Sequence, residues 1–207
     1  MSTLELPSRQ SPIPSQAREP GQVPPFPVRR FLLEEYLQLV DAGFFGTARV
    51  ELWEGWVVER MTHGALASAV IMILDELLRA SLPRGFALRV QLPLLCDESC
   101  PEPDLAVVSG QSSDFRKRHP LASEAPLVIE VSDSTLSEDR RHKQSLYARS
   151  SVPQYWIVNC VQRQIEVYTK PTGPMDQPSY RDCRIVDGLG TVTVPVANGA
   201  AGEIAVA

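Results

Sequence analysis

The sequence has little positive charge for its size. Its 207 residues include 20 Lys and Arg against 25 Asp and Glu, which gives a formal net charge of -5. This balance excludes a strongly basic surface that would bind nucleic acid by charge alone, so such a contact would need a local patch. One candidate patch is the cluster 116–119, Arg-Lys-Arg-His, although a cluster of this kind is usually a solvated face.

Cysteine is scarce and long apolar runs are missing. Cys96 and Cys100 are close, but they do not form a Cys-x-x-Cys pair and no further zinc ligands lie near them. We therefore expect free thiols in a reducing compartment. No apolar run approaches the ~20 residues of a membrane span, and the N-terminus is polar and Pro-rich, unlike a signal peptide. The sequence predicts a cytoplasmic protein with no membrane segment.

The length suits one domain with tails. Residues 1–27 hold seven prolines among Ser, Gln and Glu, a composition that predicts a disordered tail. We expect a single folded domain over 28–195 and a short C-terminal tail over 196–207. Within the domain, hydrophobic periodicity and turn residues predict the following elements: helix 31–41, hairpin 49–60, helix 63–80, strands 86–95, 103–108 and 127–131, helix 138–149, strands 154–159 and 164–169, and edge strands within 180–194. This order indicates an α/β or α+β fold with helices packed on a sheet.

The most informative stretch runs from 127 to 147. It begins with a short apolar run typical of a strand buried on both faces, yet Glu130 lies inside that run. Burying a carboxylate is costly unless it has a partner. A polar turn follows, and then a predicted helix with acids early and bases late, among them Lys143.

Three acids lie in or beside predicted strands, namely Glu51, Asp104 and Glu130. If neighbouring strands bring Asp104 and Glu130 together, their repulsion favours a divalent cation, and hard oxygen ligands favour Mg²⁺ or Mn²⁺. Lys143 follows in the helix, where its long side chain can reach back to the end of the strand. Acids, metal and lysine together suit hydrolysis of a phosphodiester bond.

At these residues the chain resembles the Uma-two (Uma2) family of predicted bacterial endonucleases, within the PD-(D/E)XK superfamily. The stretches that carry the resemblance occur in the family's order and spacing: Val50-Glu-Leu-Trp-Glu-Gly55, Pro103-Asp104, Leu127-Val-Ile-Glu-Val-Ser132, Asp139-x-x-x-Lys143-x-x-x-Tyr147 and Val152-Pro-Gln-Tyr-Trp-Ile-Val158. The resemblance covers roughly residues 31–168. It implies a restriction-endonuclease-like fold, with a mixed central sheet flanked by helices, and Mg²⁺-dependent cleavage of DNA by a metal-activated water.

By position, the resemblance implies that Asp104 and Glu130 are metal ligands and that the Val131 carbonyl is a third. Glu51 would be an additional acid near the metal or its water, and Lys143 would be the catalytic lysine. In the superfamily's basic pattern the lysine lies two residues after the acid, but this chain has Ser132 there. A homodimer follows only by analogy, because cutting both DNA strands requires two sites.

Simpler interpretations remain open at each position. Asp139 and Lys143 are four residues apart and could form an exposed helical ion pair. Asp104 could be a turn residue, Glu51 could face solvent on an edge strand, and His63 could simply begin a helix. The whole chain could instead be a non-catalytic binding or assembly module with a nuclease fold, or a metal-dependent hydrolase of small phosphoesters.

Overall fold

The computed structural model describes residues 27–188, 190–196 and 199–205. The predicted disordered tail therefore lies outside the described residues, apart from Pro27. The described helices are α1 (Leu33–Asp41), α2 (Ala65–Ser81) and α3 (136–149). The described strands are β1 (Val50–Trp53), β2 (Trp56–Glu59), β3 (Phe86–Val90), β4 (Leu105–Ser109), β5 (Leu127–Ser132), β6 (Gln154–Asn159), β7 (Gln164–Pro171), β8 (Tyr180–Asp187), β9 (Thr191–Val196) and β10 (Gly199–Ala205).

A six-stranded mixed sheet in the order β3-β4-β5-β6-β7-β8 forms the centre of the domain. Only β5 and β6 pair in parallel within this sheet, and its other neighbours are antiparallel. A parallel pair needs a long crossover between its strands, usually a helix. Helix α3 provides that crossover, and it packs on one face of the sheet. The predicted mixed sheet flanked by helices is confirmed.

Strand β5 lies at the middle of the sheet, and all six of its residues are buried. Its apolar side chains Leu127, Ile129 and Val131 join a core formed with α2 and the β9–β10 hairpin. Val128 belongs to the opposite core, which is formed with α3. Since side chains alternate along a strand, Glu130 faces the same side as Val128 and meets α3.

Helix α3 is not regular. It is α-helical over Leu136–Glu138, π-helical over Asp139–Lys143, and α-helical again over Gln144–Arg149. A π turn inside a helix is rare and often lies at a functional site. The predicted helix is thus present, with a local widening that periodicity did not indicate.

The β1–β2 hairpin forms where turn residues predicted it. Its tip has positive φ at both Glu54 (48°) and Gly55 (82°), the backbone that tight hairpins with the right-handed strand twist require. A Cβ on Gly55 would lie 2.6 Å from the Cβ of Arg30. Glycine is needed here both for its backbone conformation and for the close approach of the N-terminal segment.

Two predicted boundaries are wrong. The strand predicted over 86–95 ends at Val90, because Gln91 has φ of 50° and the Pro93 nitrogen cannot donate to a ladder. The predicted C-terminal tail over 196–207 instead contains β10, which pairs antiparallel with β9. Ile204 in β10 is 3% exposed and packs in the core with α2. Within the described residues, no helix is long and apolar enough to cross a bilayer.

Candidate active site

The two central carboxylates lie directly opposite each other at the edge of the β4–β5 pairing. The last paired residues of this ladder are Leu105 and Ile129. Asp104 immediately precedes the first, and Glu130 immediately follows the second. The antiparallel register therefore brings together two acids that are 26 residues apart in sequence. The Asp104 amide donates to Glu130 Oε2 at 3.4 Å, and the Val131 amide donates to Asp104 Oδ2 at 2.9 Å.

Both carboxylates are almost completely buried, with Glu130 1% and Asp104 2% exposed. Burial raises the pKa of Glu130 to about 8; the Lys143 ammonium opposes this rise, and the charge of Asp104 adds to it. Burial would also raise the pKa of Asp104, but contacts with His63, Lys143 and the Val131 amide outweigh it. The pKa of Asp104 consequently lies below its ordinary value. The pKa values of the two adjacent acids are thus shifted in opposite directions, and perturbed pKa values of this kind are typical of functional sites.

Lys143 reaches from α3 to the buried end of Glu130. Its Nζ lies 2.8 Å from Glu130 Oε2 and 3.3 Å from Asp139 Oδ1. Burial lowers the pKa of Lys143, but the charges of Glu130 and Asp139 outweigh it and the net shift is upward. Asp139 is 1% exposed, so the pair formed by Asp139 and Lys143 is not the exposed helical pair considered above.

Tyr147 lies one turn beyond Lys143 and donates its hydroxyl to Glu130 Oε1 at 2.8 Å. Its ring is fully buried beside Tyr155, with ring centroids 5.1 Å apart. Burial, with the adjacent Glu130 charge, raises the pKa of Tyr147 far above its usual range, so this hydroxyl remains a donor. The two oxygens of Glu130 are therefore fixed by separate side chains of α3.

Arg60 links Glu51 to this pair. Its guanidinium lies 3.4 Å from Glu51 Oε1, 3.0 Å from Glu102 Oε2 and 3.2 Å from Asp104 Oδ1, and its side chain is 9% exposed. Glu51 is 5% exposed and accepts bonds from the Trp53 indole and the Glu102 amide. Glu51 is therefore separated from Asp104 by one guanidinium, and it does not face solvent.

His63 lies just before α2, in the link that follows the β1–β2 hairpin. Its Nε2 is 2.7 Å from Asp104 Oδ1, and its side chain is 20% exposed. The structure thus brings His63 into the site, although the simpler interpretation treated it as a residue that begins a helix. Helix α2 itself begins two residues later, at Ala65.

The oxygen donors at this point are of the type that binds a divalent cation. Asp104, Glu130 and the Val131 carbonyl supply hard oxygens, which suit Mg²⁺ or Mn²⁺. The N–H and C=O of one strand residue point to the same side, so the Val131 amide bond to Asp104 turns its carbonyl toward Asp104 as well. In the part of the chain that the structure describes, no group of three His, Cys, Asp or Glu side chains could hold a metal. A metal here would use two carboxylates and the main chain.

The structure brings together Asp104, Glu130 and Lys143 directly, and Glu51 through Arg60. The sequence gave no role in the site to Arg60, Glu102 or Tyr147, although Tyr147 is the last residue of the Asp139-x-x-x-Lys143-x-x-x-Tyr147 pattern. Tyr147 could have been found, because its spacing of four residues from Lys143 places both on one helical face. Arg60 gave no comparable signal, since the end of a hairpin has no required side chain.

The basic cluster 116–119 is partly occupied within the molecule. Arg118 binds both carboxylate oxygens of Glu124, at 2.6 and 2.7 Å, and lies over the Phe115 ring at 5.3 Å. These contacts fix the loop between β4 and β5. The cluster as a contact for phosphate groups stays a prediction.

Fold and site together define a restriction-endonuclease-like protein: a mixed sheet with acids at the adjoining ends of two strands and a lysine beside them. A family model described as "Uma2: Putative restriction endonuclease" matches residues 33–206. The chain therefore belongs to the Uma2 family, and the resemblance noted in the sequence is confirmed.

A solved structure shares the fold. It is the crystal structure titled "a putative nuclease belonging to DUF820" from Anabaena variabilis ATCC 29413, with 16% sequence identity and a TM-score of 0.51. The match covers 80% of this chain and 89% of that one. At this identity the likeness concerns the fold alone. No curated protein matches the chain.

Proposed function

We propose that this protein is a Mg²⁺- or Mn²⁺-dependent endonuclease that hydrolyses phosphodiester bonds of DNA. The observation that carries the proposal is the convergence of Asp104, Glu130 and Lys143 in a buried corner of the sheet. Membership of a family described as "Putative restriction endonuclease" supports it. Burying the charged groups of Asp104, Glu130 and Lys143 costs desolvation free energy, and this cost is hard to explain by folding stability alone.

Asp104, Glu130 and the Val131 carbonyl would hold the cation. Bound there, the cation would supply Lewis-acid activation of water and would neutralise charge on the phosphate. Lys143 lies 2.8 Å from Glu130, and its ammonium would orient the attacking water or stabilise negative charge at the phosphate. Glu51 would fix Arg60 and through it the orientation of Asp104.

The first experiment is cleavage of supercoiled plasmid with Mg²⁺ or Mn²⁺. Wild type should nick the plasmid, Glu130→Gln should abolish nicking, and Lys143→Ala should leave a slow residual rate that is measurable at high enzyme concentration. Lys170→Ala is the matched control, because Lys170 is 69% exposed and pairs only with a half-exposed Asp182 in the described residues. Calorimetry with the metal alone should show binding to wild type and to Lys143→Ala, and weaker binding to Glu130→Gln.

The outcomes separate the alternatives. No cleavage and no metal binding would favour a non-catalytic binding or assembly module with this fold. Metal binding without plasmid cleavage would favour a hydrolase of small phosphoesters, and activity on nucleotides would then test that reaction. A homodimer, proposed because cutting both strands requires two sites, is checked by light scattering at the protein concentration of the assay.

A further inference from the structure

A second buried acid lies in the same row of the sheet as Glu130. In the β5–β6 register Glu130 is opposite Ile157, and in the β6–β7 register Ile157 is opposite Glu166. The three residues therefore form one row across three adjacent strands, and their side chains face the same side. With strands spaced about 4.8 Å apart, the backbones of Glu130 and Glu166 are about 10 Å apart. Glu166 is 2% exposed, although its place in an alternating strand predicts a solvent-facing residue.

Arg140, from the π turn of α3, binds Glu166 with both ends of its guanidinium. Arg140 Nε donates to Glu166 Oε2 at 3.0 Å, and Nη2 donates to Oε1 at 2.6 Å. The Tyr168 hydroxyl donates to the same carboxylate at 2.8 Å. Burial would raise the pKa of Glu166, but these donors outweigh it and hold that pKa below its ordinary value. Glu166 thus stays ionised as a fixed anion under the π turn.

The π turn is consequently fixed to the sheet at two points of one row. Lys143 contacts Glu130 on β5, and Arg140, three residues earlier, contacts Glu166 on β7. Between these points the Tyr155 hydroxyl on β6 donates to the Asp139 carbonyl at 3.2 Å. Paired contacts to two buried carboxylates can maintain an unfavourable helical geometry that the chain would otherwise relax.

We propose that Arg140 and Glu166 are a positioning pair for Lys143. The inference rests on the proposed nuclease function for the role of Lys143, but its structural part is independent of it. A bidentate bond defines the orientation of the π turn better than a single ammonium contact. Without the Arg140–Glu166 contact, Lys143 would still be attracted to Glu130. The backbone of the π turn would then be free to shift, and the position of the Lys143 ammonium would shift with it. Among the described residues, the hydrogen bonds and ion pairs of Arg140 and Glu166 do not include Asp104, Glu130 or Lys143, so we assign the pair a positioning role and not a catalytic one.

The pair could instead be a stabilising surface contact, since the Arg140 side chain is 42% exposed. That interpretation predicts a loss of stability without a specific effect on Lys143. Positioning predicts that the effects of Arg140 and Lys143 on turnover are not additive, because one acts through the other. A misplacement of about 1 Å can reduce a rate about 100-fold.

The test compares Arg140→Met, Arg140→Lys and Glu166→Gln with Lys143→Ala and with Arg140→Met/Lys143→Ala in plasmid cleavage. Arg140→Met should lower kcat about 10- to 100-fold with KM changed less than about twofold, and Arg140→Lys should restore part of it. Adding Arg140→Met to Lys143→Ala should cause no further loss. Equal fractional losses in both backgrounds would overturn the proposal.

A second readout does not need activity. The chain has three lysines, Lys117, Lys143 and Lys170, so acetylation with a small amine-reactive reagent can be followed at each by mass spectrometry. Arg140→Met should raise the rate at Lys143 several-fold and leave the other two unchanged. An unchanged rate at Lys143, with the variant folded by circular dichroism, would overturn the positioning role. If wild type does not cleave DNA but the rate at Lys143 changes, the positioning stands and the proposed function fails.

Discussion

Removing Arg60 should cost far more stability than removing a comparable arginine on the surface. Arg60 is 9% exposed and contacts Glu51, Glu102 and Asp104 at 3.0 to 3.4 Å. Arg60→Met keeps most of the side-chain length but leaves these carboxylates without their shared cation. Loss of one partner from a buried ion pair typically costs about 3–5 kcal/mol, and we expect a loss of free energy of unfolding in that range.

The matched control is Arg79→Met. Arg79 pairs with Asp75 at 2.8 Å, a shorter distance than any contact of Arg60, but its side chain is 55% exposed. Solvent screens such a pair, so the expected change is within about 0.5 kcal/mol. If distance determined the loss of stability, Arg79→Met would cost more than Arg60→Met. If burial determines it, Arg60→Met costs more, and the two variants therefore distinguish these explanations. Arg60→Lys, which keeps the charge but loses the planar fork, should lie between the two.

The assay is urea unfolding followed by tryptophan fluorescence, repeated from pH 5 to 8. Burial already raises the pKa of Glu102, against the charge of Arg60, and Arg60→Met should raise it further. The folded variant then binds more protons than the unfolded chain above the ordinary glutamate pKa of 4.5. Stability should accordingly fall as pH rises from that value. A loss below about 1 kcal/mol at pH 8, or a loss independent of pH, would refute this reasoning.

Two further predictions concern single side chains. Tyr147→Phe removes the hydroxyl that donates to the buried Glu130 and should lower the free energy of unfolding by about 1–3 kcal/mol. Tyr180→Phe should cost less, because the Tyr180 hydroxyl donates to a neutral backbone carbonyl. Equal urea midpoints for the two variants would contradict this prediction. In a thiol titration of the native protein, the exposed Cys183 should react faster than Cys100, although burial of its sulfur raises the pKa of Cys183 above the ordinary value. Cys100 should react only on unfolding, because it is 2% exposed and burial raises its pKa to about 12; fast reaction there would show that the core opens.

The sequence was most informative where a residue contradicted its local pattern. Glu130 interrupts an apolar run, and a carboxylate in that position needs a partner wherever the strand lies in the sheet. Asp104 was recognisable for the same reason, at the start of a second apolar run. The role of Lys143 rested on the family resemblance, because helical spacing alone also allows an exposed ion pair with Asp139. These three residues meet in the structure because the register of β4 and β5 places the two acids opposite each other.

Residues that obey their local pattern gave no signal. Glu166 alternates with apolar neighbours, as a solvent-facing residue does, and its burial depends on Arg140 reaching across from another element. The order β5-β6-β7 places it in the row of Glu130, and that order cannot be read from periodicity. Arg60 was missed because a long side chain at the end of a hairpin can point in many directions.

The C-terminal strand β10 was missed for a related reason. Its sequence, Gly-Ala-Ala-Gly-Glu-Ile-Ala, is rich in small residues with little strand propensity. It forms because Ile204 packs with Val192 and Val194 of β9 against α2. Tertiary packing therefore overrides a weak local preference, and a boundary drawn from composition falls short by one strand.

The burial of the Glu130–Lys143 pair bears on whether the site is kept for chemistry or for folding. Both groups must lose water, and replacing a buried ion pair by apolar residues of similar volume is often neutral or stabilises by about 1–4 kcal/mol. The comparison is made in a background that carries Tyr147→Phe and Asp139→Asn, because the Tyr147 hydroxyl and the Asp139 carboxylate would otherwise lose their buried partners. In that background we expect Glu130→Leu/Lys143→Met to be at least as stable in urea as the background itself, and to bind no metal and cleave no plasmid. Glu130→Leu alone should be less stable than the pair of substitutions, because Lys143 would then keep neither of the carboxylates that it contacts among the described residues. If removing the pair greatly lowers the stability of the background, the pair serves the fold, and a binding module that retained these charges for stability becomes the better explanation. If stability is unchanged or higher, the charged pair does not contribute to the free energy of unfolding. Retention of such a pair is expected where the activity of the protein depends on it.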